Sequence, residues 1–233
     1  MSNNAFSFNI TDDGGVSIDI KNAEGFISNK VVSLDDFANA FSMSNESLDL
    51  PLFPKGFRKY KTRGERTLVA FEVPATIINE VYWRNSEGET ETYNNIPIPN
   101  SVWLVSLNIL PNKKYSINKV NVVATNFLGL VSEDSPMYYW PFPNHTISYG
   151  VCWGNDPNYS NLKDGCFLNE LHSLVNIYFS AAFNSDLGYR FLDPDSEFSS
   201  GNIFQCMEGK TNFADKYLVR HSENFNQFID NLI

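Results

Sequence analysis

A thiol and a carboxamide stand close together in the middle of the 233-residue chain, in the segment MYYWPFPNHTISYGVCWGN that covers residues 137–155. Asn144 precedes Cys152 by eight residues, so a short polar turn could bring the amide close to the sulfur. With no base beside it, such a pair suits acyl transfer through a thioester. The sulfur attacks an activated carbonyl, and the amide NH₂ donates to the developing oxyanion or holds the loop in place.

Two prolines, Pro141 and Pro143, make the backbone ahead of Asn144 rigid. Each proline fixes φ and removes a backbone donor, so we predict an ordered loop here rather than a helix interior or a central strand. Taken alone, a cysteine beside a tryptophan is most often a small buried hydrophobe, and Pro-Asn is most often a turn. Together, at one spacing, they favour a reactive site. The predicted site loop contains Phe142, Pro143, Gly150, Trp153 and Gly154.

The string Phe-Pro-Asn at residues 142–144, with Gly-Val-Cys at residues 150–152, resembles the active-site signature of ubiquitin-conjugating enzymes. That signature is His-Pro-Asn followed at the same spacing by Gly-x-Cys, and the match fails only at Phe142, where the eukaryotic family has a structural histidine. The whole segment is closer still to the bacterial branch called prokaryotic family D, found in ParB-related, ThiF-related cassettes. Residues 52–56 and 72–74 also resemble the Leu-Phe-Pro-Lys-Gly and Glu-Val-Pro segments of that branch.

The resemblance implies an α+β fold of the ubiquitin-conjugating type, an antiparallel strand meander flanked by helices. It also implies that Cys152 accepts the C-terminal acyl group of a ubiquitin-like protein from a ThiF-type activating enzyme and passes it to a lysine or another amine. A JAB-type metalloprotease is a further companion expected in the same operon. Asp186 follows the helix after the site and could orient or deprotonate the attacking lysine; the alternative is a turn residue at the end of that helix.

Two other classes of function stay open. The chain could be a noncatalytic binding module that keeps the same fold to hold a ubiquitin-like protein or assemble a bacterial complex. It could also be a thiol hydrolase that pairs Cys152 with a histidine. His145 adjoins Asn144, but we predict it to be a surface residue, and we predict His172 to lie at the edge of its helix.

Composition excludes several other functions. The net charge of −10, from 17 basic and 27 acidic residues, argues against broad contact with nucleic acid or anionic membranes. Three cysteines without paired spacing form neither a disulfide framework nor a metal site, and no glycine-rich phosphate loop is present, so we expect no cofactor and no metal. The N-terminus lacks a signal-peptide pattern, which predicts a cytoplasmic protein. These residues do not distinguish antiphage defence from plasmid maintenance as the biological role.

The chain is predicted to begin with a hairpin extension, residues 1–30, followed by the conjugating-type domain, residues 31–233. The hairpin pairs Phe6–Ile10 with Val16–Ile20 around a turn at Asp13–Gly15. A capped helix should start at Ser33, because Asp36 follows three residues later and apolar residues recur at helical spacing. Those apolar positions are Leu34, Phe37, Ala38 and Phe41.

Alternation and turn residues predict a strand meander ahead of the site and helices behind it. The predicted strands are Phe57–Lys61, Thr67–Val73, Ile77–Trp83, Val102–Ile109 and Val120–Thr125, with a solvated loop at Asn85–Asn95. Residues 155–165 should be exposed. An amphipathic helix follows through Leu168, Leu171, Val175, Tyr178 and Ala182, ended by Asn184–Gly188. A tail helix is predicted with Ser222 as its N-cap and Phe225, Phe228, Ile229 and Leu232 on one face.

Overall fold

In the part of the chain that the structure describes, a nine-stranded antiparallel sheet, a three-stranded sheet and a two-stranded hairpin combine with short helices in an α+β fold. The computed structural model describes residues 5–11, 14–21, 27–37, 52–110, 114–126, 135–146, 148, 150–186 and 202–232. The strands are β1 (Ala5–Ile10), β2 (Gly15–Lys21), β3 (Ile27–Ser33), β4 (Phe57–Arg63), β5 (Arg66–Val73), β6 (Thr76–Arg84), β7 (Thr90–Ile98), β8 (Asn100–Ile109), β9 (Tyr115–Thr125), β10 (Pro136–Tyr139), β11 (His145–Thr146), β12 (Gly150–Val151), β13 (Ala182–Phe183) and β14 (Arg220–Asn224).

Short helices pack against these strands. They are α1, described at residues 34–37, and α2 (Pro157–Lys163), α3 (Ser173–Ser180), α4 (Ile203–Met207) and α5 (Phe225–Leu232), with 3₁₀ helices at Leu168–His172 and Asp215–Tyr217. Helix α3 packs against β6, α4 against β7 and α5 against β14. No helix within the described ranges is long and apolar enough to cross a membrane. The large sheet has the order β14-β10-β9-β8-β5-β4-β1-β2-β3, and the small one β13-β6-β7.

The predicted N-terminal hairpin is confirmed as β1 and β2, paired from Ala5 opposite Lys21 to Ile10 opposite Val16. Gly14 closes its turn with a φ of 81°, while Asp13 lies outside the described residues. Strand β1 also pairs with β4, so the hairpin continues the large sheet. The proposed boundary at residue 30 falls inside β3.

Helix α1 has the predicted cap, because the backbone N–H of Asp36 donates to Ser33 Oγ at 2.9 Å. Phe37 is buried, and its ring centroid lies 5.0 Å from that of Phe8. The cap therefore directs this helix onto the N-terminal hairpin. Ala38 and Phe41 lie outside the described residues.

The predicted loop at Asn85–Asn95 is wrong from Thr90 onward. Strand β7 begins there and pairs antiparallel with β6, from Arg84 opposite Thr90 to Thr76 opposite Ile98. The small sheet places β7 at its edge, where Pro97 is tolerated because one row of backbone groups needs no strand partner. Its first residues are polar and exposed, so the alternation that signals a strand is missing from this sequence.

The middle of the large sheet is buried on both faces. One face joins the main aromatic core, which includes Phe71, Trp103, Trp140, Tyr178 and Phe204. The other face packs against α5 through a separate cluster. Its members are Leu68, Ala70, Val102, Leu104, Val123, Met137, Phe225, Phe228 and Ile229. Strands buried on both sides need nearly continuous apolar sequence, as β8 has.

Helix α5 has the predicted apolar face, but Ser222 is not its cap because the helix begins at Phe225, three residues further along the chain. The cap is Asn224, whose Oδ1 accepts from the N–H of Gln227 at 2.9 Å. Gln227 reciprocates, since its Oε1 accepts from the N–H of Asn224 at 3.0 Å. This reciprocal arrangement satisfies two backbone donors at the start of the helix.

The predicted helix through residues 168–182 is only partly correct. A 3₁₀ helix covers Leu168–His172, α3 ends at Ser180, and Ala182 belongs to β13. The chain becomes extended at Ala181, and β13 then pairs parallel with β6. The helix therefore stops before residues 184–188, which were predicted to end it. Residues 155–165 are mostly exposed as predicted, yet they contain α2, which buries no residue.

Candidate active site

The loop between β10 and β11 is tied to helix α3 by two buried hydrogen bonds. The indole Nε1–H of Trp140 donates to the Tyr178 hydroxyl at 2.9 Å, and that hydroxyl donates to the carbonyl oxygen of Pro143 at 2.5 Å. Burial raises the pKa of Tyr178, which keeps its phenol protonated and able to donate. The predicted ordered loop is confirmed, and Tyr178 of α3 fixes its position relative to the helix.

Phe142, the position at which the sequence resemblance fails, is buried in the aromatic core. Its ring stacks on Phe204 with centroids 5.6 Å apart and planes 13° apart, and Trp140 lies 5.2 Å away. Phe179 and Phe213 meet it edge-on. A phenylalanine here anchors the loop by packing, where a polar ring would need a hydrogen-bond partner.

Asn144 connects three segments of the site. Its backbone has a φ of 58°, a left-handed conformation that asparagine adopts more readily than most residues. Its side-chain Nδ2 donates to the carbonyl oxygen of Ala182 at 3.2 Å, and its own carbonyl oxygen accepts from the N–H of Cys152 at 2.8 Å. The amide therefore holds the loop against β13, the second of the two roles considered from the sequence.

The turn predicted between the amide and the thiol is the hairpin of β11 and β12, with His145 opposite Val151. Gly150 has a φ of 79°, and a Cβ built there would lie 2.3 Å from the carbonyl oxygen of Val120. Only glycine allows this hairpin to approach β9 so closely. Lys119 Nζ adds a hydrogen bond to the carbonyl oxygen of Ser148 at 2.7 Å.

His145 is buried rather than on the surface, so that prediction is wrong. Its Nε2 accepts from the backbone N–H of Val122 at 3.4 Å, because β11 packs on β9, and its Nδ1 has no partner in the described part of the chain. Burial, with a smaller effect from Lys119, lowers the pKa of His145 to about 3. The imidazole is therefore neutral at physiological pH. His172 is half-buried, as its predicted place at a helix edge allows.

Cys152 is exposed at the end of β12 and lines a cleft of about 420 Å³. The other residues lining it are Arg84, Asn144, Trp153, Gly154, Asn155, Asp156, Ser180, Ala181, Ala182, Asn184 and Asp186. Cys166, by contrast, is fully buried, and burial raises the pKa of its thiol to about 11. Cys206 is partly exposed, so the most exposed of the three thiols is the one that the sequence singled out.

Trp153 and Gly154 shape the cleft just after the thiol. The indole of Trp153 stacks on Tyr159 of α2, with ring centroids 4.3 Å apart and planes 9° apart. Asp156 caps α2, because its Oδ1 accepts from the N–H groups of Asn158 and Tyr159 at 2.8 and 2.9 Å. Gly154 has a φ of 56° with open space around it, so the backbone conformation alone favours glycine there.

Asp186 lies on the same cleft as Cys152, although 34 residues separate them in the sequence. Its Oδ2 accepts from Asn184 Nδ2 at 2.9 Å, and its backbone N–H donates to Asn184 Oδ1 at 3.0 Å. This local turn holds an exposed carboxylate at the edge of the cleft. The structure therefore brings together all three residues predicted to be catalytic, Cys152, Asn144 and Asp186.

Sequence reasoning missed Arg84, which lines the cleft from the end of β6. It reaches the site because β6 pairs with β13, and no local sequence motif predicts this contact between distant segments. Across the described ranges, no three His, Cys, Asp or Glu side chains are grouped to share a metal ion.

The cleft combines the accessible thiol of Cys152, the exposed carboxylate of Asp186 and the guanidinium of Arg84, which are groups suited to nucleophilic acyl transfer. The thiol supplies the nucleophile, the carboxylate can accept a proton, and the guanidinium can stabilise negative charge. No protein-family model, no curated protein and no solved structure matches this chain.

Proposed function

We propose that this chain is a ubiquitin-conjugating-like transferase of prokaryotic family D, with the fold of that family. It carries a ubiquitin-like protein as a thioester on Cys152 and passes it to an amine of a target. The observation that carries the proposal is the exposed Cys152, whose N–H is bonded to the carbonyl of Asn144 at 2.8 Å while Asp186 borders the same cleft. A thioester carrier needs such a thiol, open to another protein's tail and held by a rigid loop.

The proposed reaction has two acyl transfers. In the first, the Cys152 thiolate attacks the thioester formed on a ThiF-type activating enzyme, and the activating enzyme's thiolate leaves. In the second, a target amine attacks the carbonyl on Cys152, the C–N bond forms, the C–S bond breaks and the thiolate is restored. The amine proton passes to the carboxylate of Asp186 or to water.

Further support comes from the two other segments that resemble family D, residues 52–56 and 72–74. The backbone N–H of Glu72 donates to the carbonyl oxygen of Gly56 at 2.7 Å. Gly56 has a φ of 76°, and a Cβ built there would lie 2.1 Å from the carbonyl oxygen of Glu72. The two segments that resemble family D are therefore hydrogen-bonded to each other, as expected if they form one structural unit.

A noncatalytic binding module of the same fold is the second candidate. It is favoured by the bond from Asn144 Nδ2 to the Ala182 carbonyl, which commits this amide to holding the loop. The thiol hydrolase alternative has less support, because no histidine is among the described residues that line the Cys152 cleft. For either transferase or binding module, the proposed partners are a ubiquitin-like protein and a ThiF-type activating enzyme, with a JAB-type metalloprotease as genetic companion.

The test uses a synthetic N-acetyl-glycyl-glycine thioester of mercaptoethanesulfonate as acyl donor and free lysine as acceptor. Mass spectrometry locates the acyl group, which should form a reductant-labile thioester on Cys152 and then move to lysine. The reference is a peptide with the sequence of residues 150–154, GVCWG, carrying the same thioester. A transferase discharges to lysine faster than this peptide, and Cys152→Ser loses the labile adduct.

A Cys206→Ser variant is the matched control, since Cys206 is a partly exposed cysteine outside the cleft. Its loading and discharge should equal those of the unchanged chain. Discharge no faster than from the peptide would contradict the transferase. Retention of biological function by Cys152→Ser would then favour the noncatalytic module.

A further inference from the structure

Arg84 lies at the end of β6 in the small sheet and lines the cleft of Cys152. Strand β13 runs parallel to β6, with Ala182 opposite Tyr82 and Phe183 opposite Trp83. The same register carries Arg84, the last residue of β6, to the level of Asn184 at the cleft. Its side chain is exposed, and among the described residues that line the cleft it is the one lysine, arginine or histidine.

Two of the side-chain amides that line the cleft are already engaged in hydrogen bonds. Asn144 Nδ2 donates to the carbonyl of Ala182, and Asn184 Nδ2 donates to Asp186. Arg84 forms no hydrogen bond or ion pair with the residues that the structure describes. Its guanidinium is therefore a cationic donor available to a bound group.

Aminolysis of a thioester creates a need for such a donor. When the amine attacks the carbonyl carbon, the electron pair of the C=O bond moves to oxygen, which becomes an oxyanion until the C–S bond breaks. We propose that the Arg84 guanidinium donates to this oxygen and is a catalytic residue. The inference rests on the proposed transferase function and assigns to Arg84 the donor role that the engaged Asn144 amide does not fill.

The experiment follows discharge of the preloaded glycyl-glycine thioester on Cys152 to free lysine in the full chain. Each protein is first loaded to completion with excess donor, so that only the discharge step is compared. Arg84→Gln should slow discharge by about 100-fold, the effect of losing one oxyanion donor. Arg84→Lys should recover part of the rate because it keeps the positive charge.

Arg66→Gln is the matched control, since it removes one exposed arginine from β5, away from the cleft. It should discharge at the unchanged rate, and thermal unfolding should show that all variants are folded. Discharge of Arg84→Gln at the unchanged rate would overturn the role of Arg84 alone. Discharge of the unchanged chain no faster than the GVCWG peptide would overturn the proposed function and the role of Arg84 with it.

Discussion

The Tyr178 hydroxyl lies between the Trp140 indole and the Pro143 carbonyl and is bonded to both, at 2.9 and 2.5 Å. A residue of α3 thus holds the loop that precedes Cys152. Pro143 directly precedes Asn144. The carbonyl oxygen of Asn144 in turn accepts a hydrogen bond from the backbone N–H of Cys152. The position of the thiol therefore depends on a phenol that the sequence places only on the face of a predicted amphipathic helix.

Replacing this phenol tests that dependence. Tyr178→Phe keeps the ring but leaves a buried indole N–H and a buried carbonyl without their shared partner, so the free energy of unfolding should fall by about 2–4 kcal/mol. Urea unfolding measures the change. Tyr159→Phe is the control, because the Tyr159 hydroxyl forms no hydrogen bond with described residues, and its effect should be within about 0.5 kcal/mol. Equal effects of the two variants would contradict the bridging role of Tyr178.

Alanine substitutions at Gly150 and Gly154 allow the cost of a positive φ to be measured separately from the cost of a steric clash. Gly150→Ala places a methyl group 2.3 Å from the Val120 carbonyl oxygen and also forces alanine into a positive φ. Gly154→Ala carries only the cost of the positive φ, because nothing lies within 4 Å of its Cβ. We expect Gly154→Ala to lower the free energy of unfolding by about 1–2 kcal/mol, and Gly150→Ala by clearly more.

The measurement is thermal or urea unfolding of both variants beside the unchanged chain. If the two substitutions are equally costly, the close approach of the β11–β12 hairpin to β9 does not constrain residue 150. A selective effect at Gly150 should also disturb Cys152, two residues later, and alter its rate of alkylation.

The three thiols should differ in reactivity according to their exposure. Cys152 is exposed and Cys206 partly exposed, whereas Cys166 is buried, and its Sγ lies 3.4 Å from the Tyr115 carbonyl oxygen. In the native protein, 5,5′-dithiobis(2-nitrobenzoate) should react first at Cys152, more slowly at Cys206, and at Cys166 only after unfolding. Cys152→Ser should remove the fastest phase. A fast phase that survives this substitution would show that another thiol is the accessible one.

Local signals predicted much of this fold, and non-local pairing explains what they missed. The cap of Asp36 on Ser33 depends on residues three apart, so the sequence displays it directly. Arg84, by contrast, reaches the site only through the parallel pairing of β13 with β6, and the same pairing takes Ala182 out of its predicted helix. Periodicity carries no information about which distant strands pair.

Residue type also failed to reveal burial in one case. Histidine is common both at surfaces and in cores, so nothing in the sequence distinguishes a solvated His145 from one enclosed between β11 and β9. The Pro-Asn and Gly-x-Cys pattern located the loop and the thiol correctly, because prolines and glycines impose backbone geometry by themselves. What that pattern could not supply was the set of residues facing the thiol across the cleft.

Burial of His145 makes the stability of the fold sensitive to acid. Its pKa is lowered from 6.5 to about 3, so the unfolded chain binds a proton over this range while the folded chain does not. Stability therefore falls as the pH decreases from about 6.5 toward 3, and the loss from this group should reach about 2 kcal/mol between pH 7 and pH 5. His172 and His221, whose pKa values burial also lowers, act in the same direction.

His145→Gln keeps an acceptor for the Val122 N–H but cannot be protonated, so its urea-unfolding free energy should depend less on pH across this interval. His172→Gln, at a less buried site, should change that dependence less, and an unchanged pH dependence in His145→Gln would contradict burial of a neutral imidazole between β11 and β9.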